Sequence, residues 1–121
     1  MGRLTTHVLD TAQGKPAAGV FVSLYWIGIA EGEEGHEEVL SVRTNADGRT
    51  DGPLLESRRF RAGTYELLFF VGEYFATQPV AAAEPPFYDL ITLRFTVADA
   101  EADYHVPLLV SPWAYSTYRG S

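Results

Sequence analysis

The sequence predicts an all-β sandwich. Aromatic residues make up 13% of the chain and gather with Val, Ile and Leu in short runs, which Gly, Pro, Asn and Asp punctuate. One run alternates without a break: between Leu90 and Val97, Ile91, Leu93, Phe95 and Val97 stand opposite Thr92, Arg94 and Thr96. Period-two alternation sends one set into a core and the other into water, and short strands separated by closely spaced turn signals are the pattern of a sandwich. With 121 residues, 46% of them hydrophobic, the chain fits a single domain spanning 1–121, large enough to bury a core without covalent staples.

Leu4 to Asp10 reads as the first strand, and Thr11 to Pro16 as the turn that follows it. Val20 to Ile27 is a second strand by its length and its β-branched and aromatic content. The acidic, Gly-containing stretch Gly28 to Glu38 is its hairpin loop, and Val39 to Thr44 returns as a third strand. Asn45-Ala-Asp47-Gly48 carries turn chemistry, because Asn, Asp and Gly tolerate positive φ, and Arg49 to Gly52 is a short fourth strand. Pro53 to Arg61 has helical spacing: Leu54, Leu55 and Arg58 lie three to four apart, a Pro opens the segment and Gly63 closes it. Thr64 to Val71, Leu90 to Val97, Tyr104 to Val110 and Tyr115 to Arg119 complete a set of about eight strands with one short helix.

Charge and composition exclude several functions. Nine basic against 16 acidic residues leave a net charge of −7, five of the acids (Glu31, Glu33, Glu34, Glu37, Glu38) falling in one stretch. That balance repels phosphate backbones and anionic membranes, and no Lys/Arg stripe with interleaved aromatics is present, so neither nucleic acid nor membrane is an expected partner. No apolar signal segment follows Met1, and no run approaches the ~20 residues of a membrane span. A count of 0 Cys removes disulfides, Cys-based metal sites and thiol nucleophiles and suits a reducing compartment, so a cytoplasmic protein is the expectation.

Three His are the side chains suited to titrate near neutral pH. His36 lies among the loop Glu residues, a solvated setting. His7 and His105 lie inside predicted strands between apolar neighbours, where an imidazole must find hydrogen-bond partners or bear a desolvation cost. Arg49 follows the tight Asp47-Gly48 turn, a placement that aims a guanidinium fork at a carbonyl or urea-like group. Asp103 and His105 share a strand face, so the carboxylate either orients the imidazole and raises its pKa or stays in the adjoining loop. The segment Ser111 to Ser121 is rich in aromatic and donor groups, including Tyr118, Arg119 and Ser121.

Leu4-Thr-Thr-His-Val-Leu-Asp-Thr-Ala12, Thr44-Asn-Ala-Asp-Gly-Arg49, Gly63-Thr-Tyr-Glu-Leu67, Tyr104-His-Val-Pro-Leu-Leu109 and Tyr118-Arg-Gly-Ser121 together resemble the 5-hydroxyisourate hydrolases, the transthyretin-like proteins of purine catabolism. The likeness covers nearly the whole chain, and the terminal tetrapeptide is its most specific part. Transthyretin shares the fold but lacks this ending and the His and Arg positions. The resemblance implies an eight-stranded transthyretin-like (prealbumin-like) sandwich, assembled as a homotetramer, a dimer of dimers with sites where the dimers meet. It carries His7, Arg49, His105 and Tyr118 over as the catalytic set, and His7, Arg49, Tyr118, Arg119 and Ser121 as substrate contacts. In one departure, many members have His where this chain has Asp103, which favours a site without metal or other cofactor.

The implied reaction opens a cyclic amide of 5-hydroxyisourate by hydrolysis. Such a step needs a positioned water, a base of near-neutral pKa and donors aimed at the developing oxyanion. His105 or His7 is the base, the other a proton donor or anchor, and Arg49 clamps the heterocycle. No Ser lies in a Gly-x-Ser-x-Gly elbow. Two rival readings use the same sandwich: a small-ligand carrier of the transthyretin kind, and a structural domain. Two strand His, which an apolar channel does not need, speak against the carrier.

Overall fold

The alternation that marks the strands is realised as two β layers closed on one apolar core. The computed structural model describes residues 1–28 and 35–121. Its strands are β1 (Arg3–Thr5), β2 (Val8–Asp10), β3 (Lys15–Pro16), β4 (Phe21–Gly28), β5 (Glu37–Arg43), β6 (Leu55–Glu56), β7 (Gly63–Phe69), β8 (Ile91–Val97), β9 (Tyr104–His105), β10 (Leu108–Val110) and β11 (Tyr115–Thr117). One layer is the antiparallel sheet β5-β4-β7-β8. The second is built from two sheets, β6-β1-β9 and β11-β10-β2-β3, which run on from one another. Only Thr6 and His7 separate β1 from β2, and only Val106 and Pro107 separate β9 from β10.

Those two breaks, the short strands β3 and β6 in segments expected as turn and helix, and the loss of a strand at Arg49 to Gly52 together explain eleven described strands where about eight are expected. Pro107 has no N–H to give a ladder, and Thr6 Oγ1 donates to Val106 O at 2.6 Å. The path is nonetheless stitched across the gap, by Val106 N to Thr5 O and Leu108 N to His7 O, both 2.9 Å. β1 therefore runs parallel to β9, and β2 parallel to β10, along one continuous seam. The predicted strand Arg49 to Gly52 shrinks to an isolated antiparallel bridge between His7 and Arg49. The hairpin loop expected over Gly28 to Glu38 falls largely on 29–34, outside the described residues.

The helix expected over Pro53 to Arg61 does not form. Leu54 and Leu55 are buried instead, Leu55 pairing with Leu4 on the edge of β1. Ser57 then turns at a φ of 56°, which an α-helix does not accommodate, so only a 3₁₀ turn at Ser57–Arg59 follows. The α-helix, α1, is Val71–Ala76. Its Val71, Tyr74 and Phe75 are buried at the i, i+3, i+4 spacing of one helical face, so packing holds six residues that are too few to be helical alone.

Both layers and α1 feed one core. Leu4, Val8, Leu108 and Val110 meet Val22, Leu24, Leu67, Phe69 and Ile91, with Val71 and Phe75 over one end. β7 buries every second residue from Gly63 to Phe69. Truncating such a Leu to Ala costs about 2–5 kcal/mol. The seam between β1–β2 and β9–β10 is thus fixed by its apolar face, and that fixes what its polar face presents.

Candidate active site

His7 stands in the gap between β1 and β2, and His105 closes β9 beside Thr5. The parallel seam brings their rings together although they are 98 residues apart: His7 Nδ1 and His105 Nε2 are 2.8 Å apart, and the rings stack at 4.9 Å and 19°. A contact of that length holds one hydrogen between the two nitrogens. Both nitrogens of His105 are engaged, because Thr5 Oγ1 lies 2.8 Å from its Nδ1. Among the described residues His7 is hydrogen-bonded through Nδ1 alone, so Nε2 is the face left toward substrate.

Arg49 reaches the pair through its turn. Asn45 Oδ1 accepts from Asp47 N (2.9 Å) and Arg49 N (3.2 Å), Gly48 N donates to Asn45 O (2.9 Å), and Gly48 takes a φ of 72°. Only a residue without Cβ sits easily there, since a Cβ would meet Val8 O at 2.5 Å. Val8 N donates to Gly48 O at 2.8 Å, and the His7–Arg49 bridge follows at once. Burial holds both imidazoles below their ordinary pKa of 6.5, and the Arg49 charge depresses each further. The pair is therefore neutral at neutral pH, with a cation at its side.

The segment after β11 returns to the same place. His105 N donates to Gly120 O at 3.1 Å and Gly120 N to His105 O at 2.7 Å. The Arg119 guanidinium lies 4.2 Å over the Tyr104 ring and donates to Asp103 O at 2.9 Å, so its side chain faces away from the imidazoles. Tyr118 is 56% exposed and lines an open groove of about 400 Å³ with Thr92, Phe95, Tyr104 and Val106, a lining that includes neither imidazole nor Arg49. Ser121 is exposed beyond Gly120. Within one chain, then, His7, His105 and Arg49 converge, while Tyr118, Arg119 and Ser121 lie alongside. Asp103 is not the orienting group: its Oδ1 accepts from Arg3 N at 3.1 Å, and the pKa of His105 falls rather than rises. His36 is a surface residue, 3.6 Å from Glu66.

Similarity to known proteins covers nearly the whole chain. Residues 4–120 match the HIUase/Transthyretin family. The chain belongs to that family. Among its relatives is 5-hydroxyisourate hydrolase 2 of Rhizobium meliloti (strain 1021), 55% identical over 120 residues, which are 99% of this chain and 97% of that one. Klebsiella pneumoniae 5-hydroxyisourate hydrolase superposes with a TM-score of 0.78 at 33% identity, with both chains covered in full. An (S)-allantoin synthase structure gives a TM-score of 0.91 at 46% identity; 99% of this chain is covered but only 44% of that longer one.

In this HIUase/Transthyretin family member two contributors escape a search for titratable groups. Thr5 carries no charge and is ordinary strand content, although its i, i+2 spacing from His7 places both on one strand face. Asn45 reads as generic turn chemistry, yet its side chain sets the backbone of Arg49. Among the described residues no three His, Asp or Glu side chains converge as a metal ligand set, and no helix is long and apolar enough to cross a membrane.

Proposed function

We propose that the chain hydrolyses 5-hydroxyisourate, adding water across a cyclic amide to give 2-oxo-4-hydroxy-4-carboxy-5-ureidoimidazoline. The observation that carries this reading is the neutral His7–His105 pair at 2.8 Å with Arg49 beside it, in a chain whose close relatives bear the hydrolase name. His7 Nε2 takes a proton from the attacking water. His105, held on both nitrogens, orients His7 and shares the charge it acquires. Arg49 binds the electron-rich heterocycle and stabilises the oxyanion as it forms. The proton then passes from His7 Nε2 to the leaving ring nitrogen, which returns the pair to its starting state. No covalent nucleophile is required.

The pair is only partly covered within one chain, and Tyr118, Trp113 and Tyr115 are exposed aromatics on the same end segment. This supports a homotetramer, a dimer of dimers, in which a second chain closes the site and brings Tyr118 and Ser121 to the substrate. The whole of 1–121 acts as one domain, in the cytoplasm, with no cofactor.

The test generates 5-hydroxyisourate in situ from urate and urate oxidase and follows its ultraviolet decay. Wild type accelerates the decay, whereas His105→Ala and Arg49→Ala do not, or do so about 10²–10⁴-fold less. A folded wild type that leaves the spontaneous decay unchanged refutes the hydrolase.

A further inference from the structure

We infer that Thr5 is a positioning residue that sets the tautomer of His105 and, through it, decides whether His7 presents a bare nitrogen to water. The inference rests on the hydrolase reading above for its kinetic consequences, and on geometry for the rest. Three groups stand in a row: Thr5 Oγ1, the His105 ring and the His7 ring, linked Oγ1 to Nδ1 and Nε2 to Nδ1 at 2.8 Å each. Each link holds one hydrogen, and a neutral imidazole carries one ring proton. Two arrangements satisfy that count. In the first, His105 Nδ1–H donates to Thr5, His105 Nε2 accepts from His7 Nδ1–H, and His7 Nε2 is bare. In the second, Thr5 O–H donates to His105 Nδ1, His105 Nε2–H donates to His7 Nδ1, and His7 Nε2 carries the proton.

Only the first arrangement accepts a proton from water. When it does, the water O–H bond breaks, a new N–H bond forms at His7 Nε2, and the pair holds one positive charge with every link still satisfied. Donation from that N–H to the leaving nitrogen restores the first arrangement. In the first arrangement Thr5 accepts the His105 Nδ1–H both before and after the charge arrives, and the charged pair keeps every link only in that form, so acceptance by Thr5 stabilises the cation and draws the pair into the useful tautomer as His7 takes the proton. A hydroxyl suits the position because it accepts here while its own hydrogen turns elsewhere; Val, of nearly the same shape, does not accept.

The groups facing the pair are few. Arg49, from the turn after β5, and the two imidazoles themselves are the charged or titratable groups that act on it among the described residues. On β9, Tyr104 points to the opposite strand face, where it meets Arg119 from the segment after β11. On β1 and β6, Arg3 and Glu56 pair with each other in register. Among the described residues no carboxylate is hydrogen-bonded to His105; Asp103 accepts from the Arg3 N–H instead.

The experiment compares wild type, Thr5→Val and Thr5→Ser. Loss of the acceptor in Thr5→Val lowers kcat by at least about tenfold, less than the ~10²–10⁴ that removal of the base itself costs, with KM little changed. The acid limb of its pH profile moves to lower pH, because the cation has lost a partner, and Thr5→Ser restores both. Independently of turnover, ¹⁵N spectra of His side chains show His105 as the Nδ1–H tautomer in wild type and as Nε2–H in Thr5→Val. Thr5→Ala serves in place of a Thr5→Val that fails to fold. An active wild type with His105 in the Nε2–H form, or a folded Thr5→Val with unaltered kcat and pH profile, overturns the inference. An inactive wild type refutes the hydrolase instead and leaves the spectra to decide about Thr5.

Discussion

Replacing Gly48 by Ala measures how firmly the turn that presents Arg49 is built. Two costs arise at this position. The first is the left-handed backbone, φ +72°, which costs a residue with Cβ about 1 kcal/mol or somewhat more. The second is contact: the new Cβ would lie 2.5 Å from Val8 O and 3.1 Å from Pro16 Cβ. Val8 O cannot retreat freely, since Ala17 N donates to it at 3.0 Å and Val8 N donates to Gly48 O at 2.8 Å. Relieving the clash weakens those two bonds, at about 0.5–1.5 kcal/mol each. The sum is about 2–4 kcal/mol, or roughly 8–16 °C in melting temperature for a chain of this size. Gly14→Ala is the control, because Gly14 has φ +66° but nothing within 4 Å of a new Cβ. It bears the first cost alone, roughly 4 °C. Thermal unfolding followed by circular dichroism at matched protein concentration reads the difference. Turnover of 5-hydroxyisourate should fall in Gly48→Ala, which displaces Val8 after His7 and Arg49 after Gly48, and hold in Gly14→Ala. A Gly48→Ala melt within roughly 2 °C of the control, with full activity, would show that the turn yields easily and does not position Arg49.

Four further outcomes follow. The acid limb of the kcat/KM profile should fall below pH 6.5, since both imidazoles are depressed and only the neutral pair accepts a proton; the midpoint belongs to the pair, and one at or above 6.5 contradicts the account. Stability should also decline as pH drops below 6.5, because unfolded imidazoles bind protons there before folded ones do; a His105→Asn variant should lose part of that slope in acid-unfolding titrations. Tyr74→Phe strips a donor, now 2.8 Å from Asp10 Oδ2, off a fully buried carboxylate and should cost about 1–3 kcal/mol in denaturant melts while turnover stays normal; an unchanged midpoint would mean that the Gln13 bonds suffice. If the proposed tetramer closes the site, specific activity should drop on dilution through its dissociation constant, as read by assay beside light scattering; constant activity from a dissociated chain speaks against shared sites.

Strands were legible wherever one face is wet. The 91–97 alternation appears in the structure as Ile91, Leu93 and Val97 buried against Thr92, Arg94 and Thr96 exposed. The helix is not legible locally, because its sequence, Val-Gly-Glu-Tyr-Phe-Ala, continues a β-rich run from Thr64 and has weak helical propensity; burial of Val71, Tyr74 and Phe75 decides it. Pro53 to Arg61 offered better local signals, but Leu55 was worth more as an edge partner for Leu4. The site divides in the same way. His7, His105 and Arg49 were visible as chemistry, whereas their convergence depends on a parallel seam between distant segments, which no local pattern encodes. Thr5 stayed hidden because a strand Thr looks like propensity until its neighbour across the seam is known.

That seam ties activity to completion of the chain. Thr5 and His7 leave the ribosome about a hundred residues ahead of His105, as their separations of 100 and 98 positions require. Contacts of such range form late, after loop closure has been met by much of the core. A nascent chain stalled before residue 105 can therefore hold β4, β5 and β7 and still have no imidazole pair. Turnover becomes a reporter of finished topology, sensitive to a misplaced last segment that circular dichroism would scarcely register.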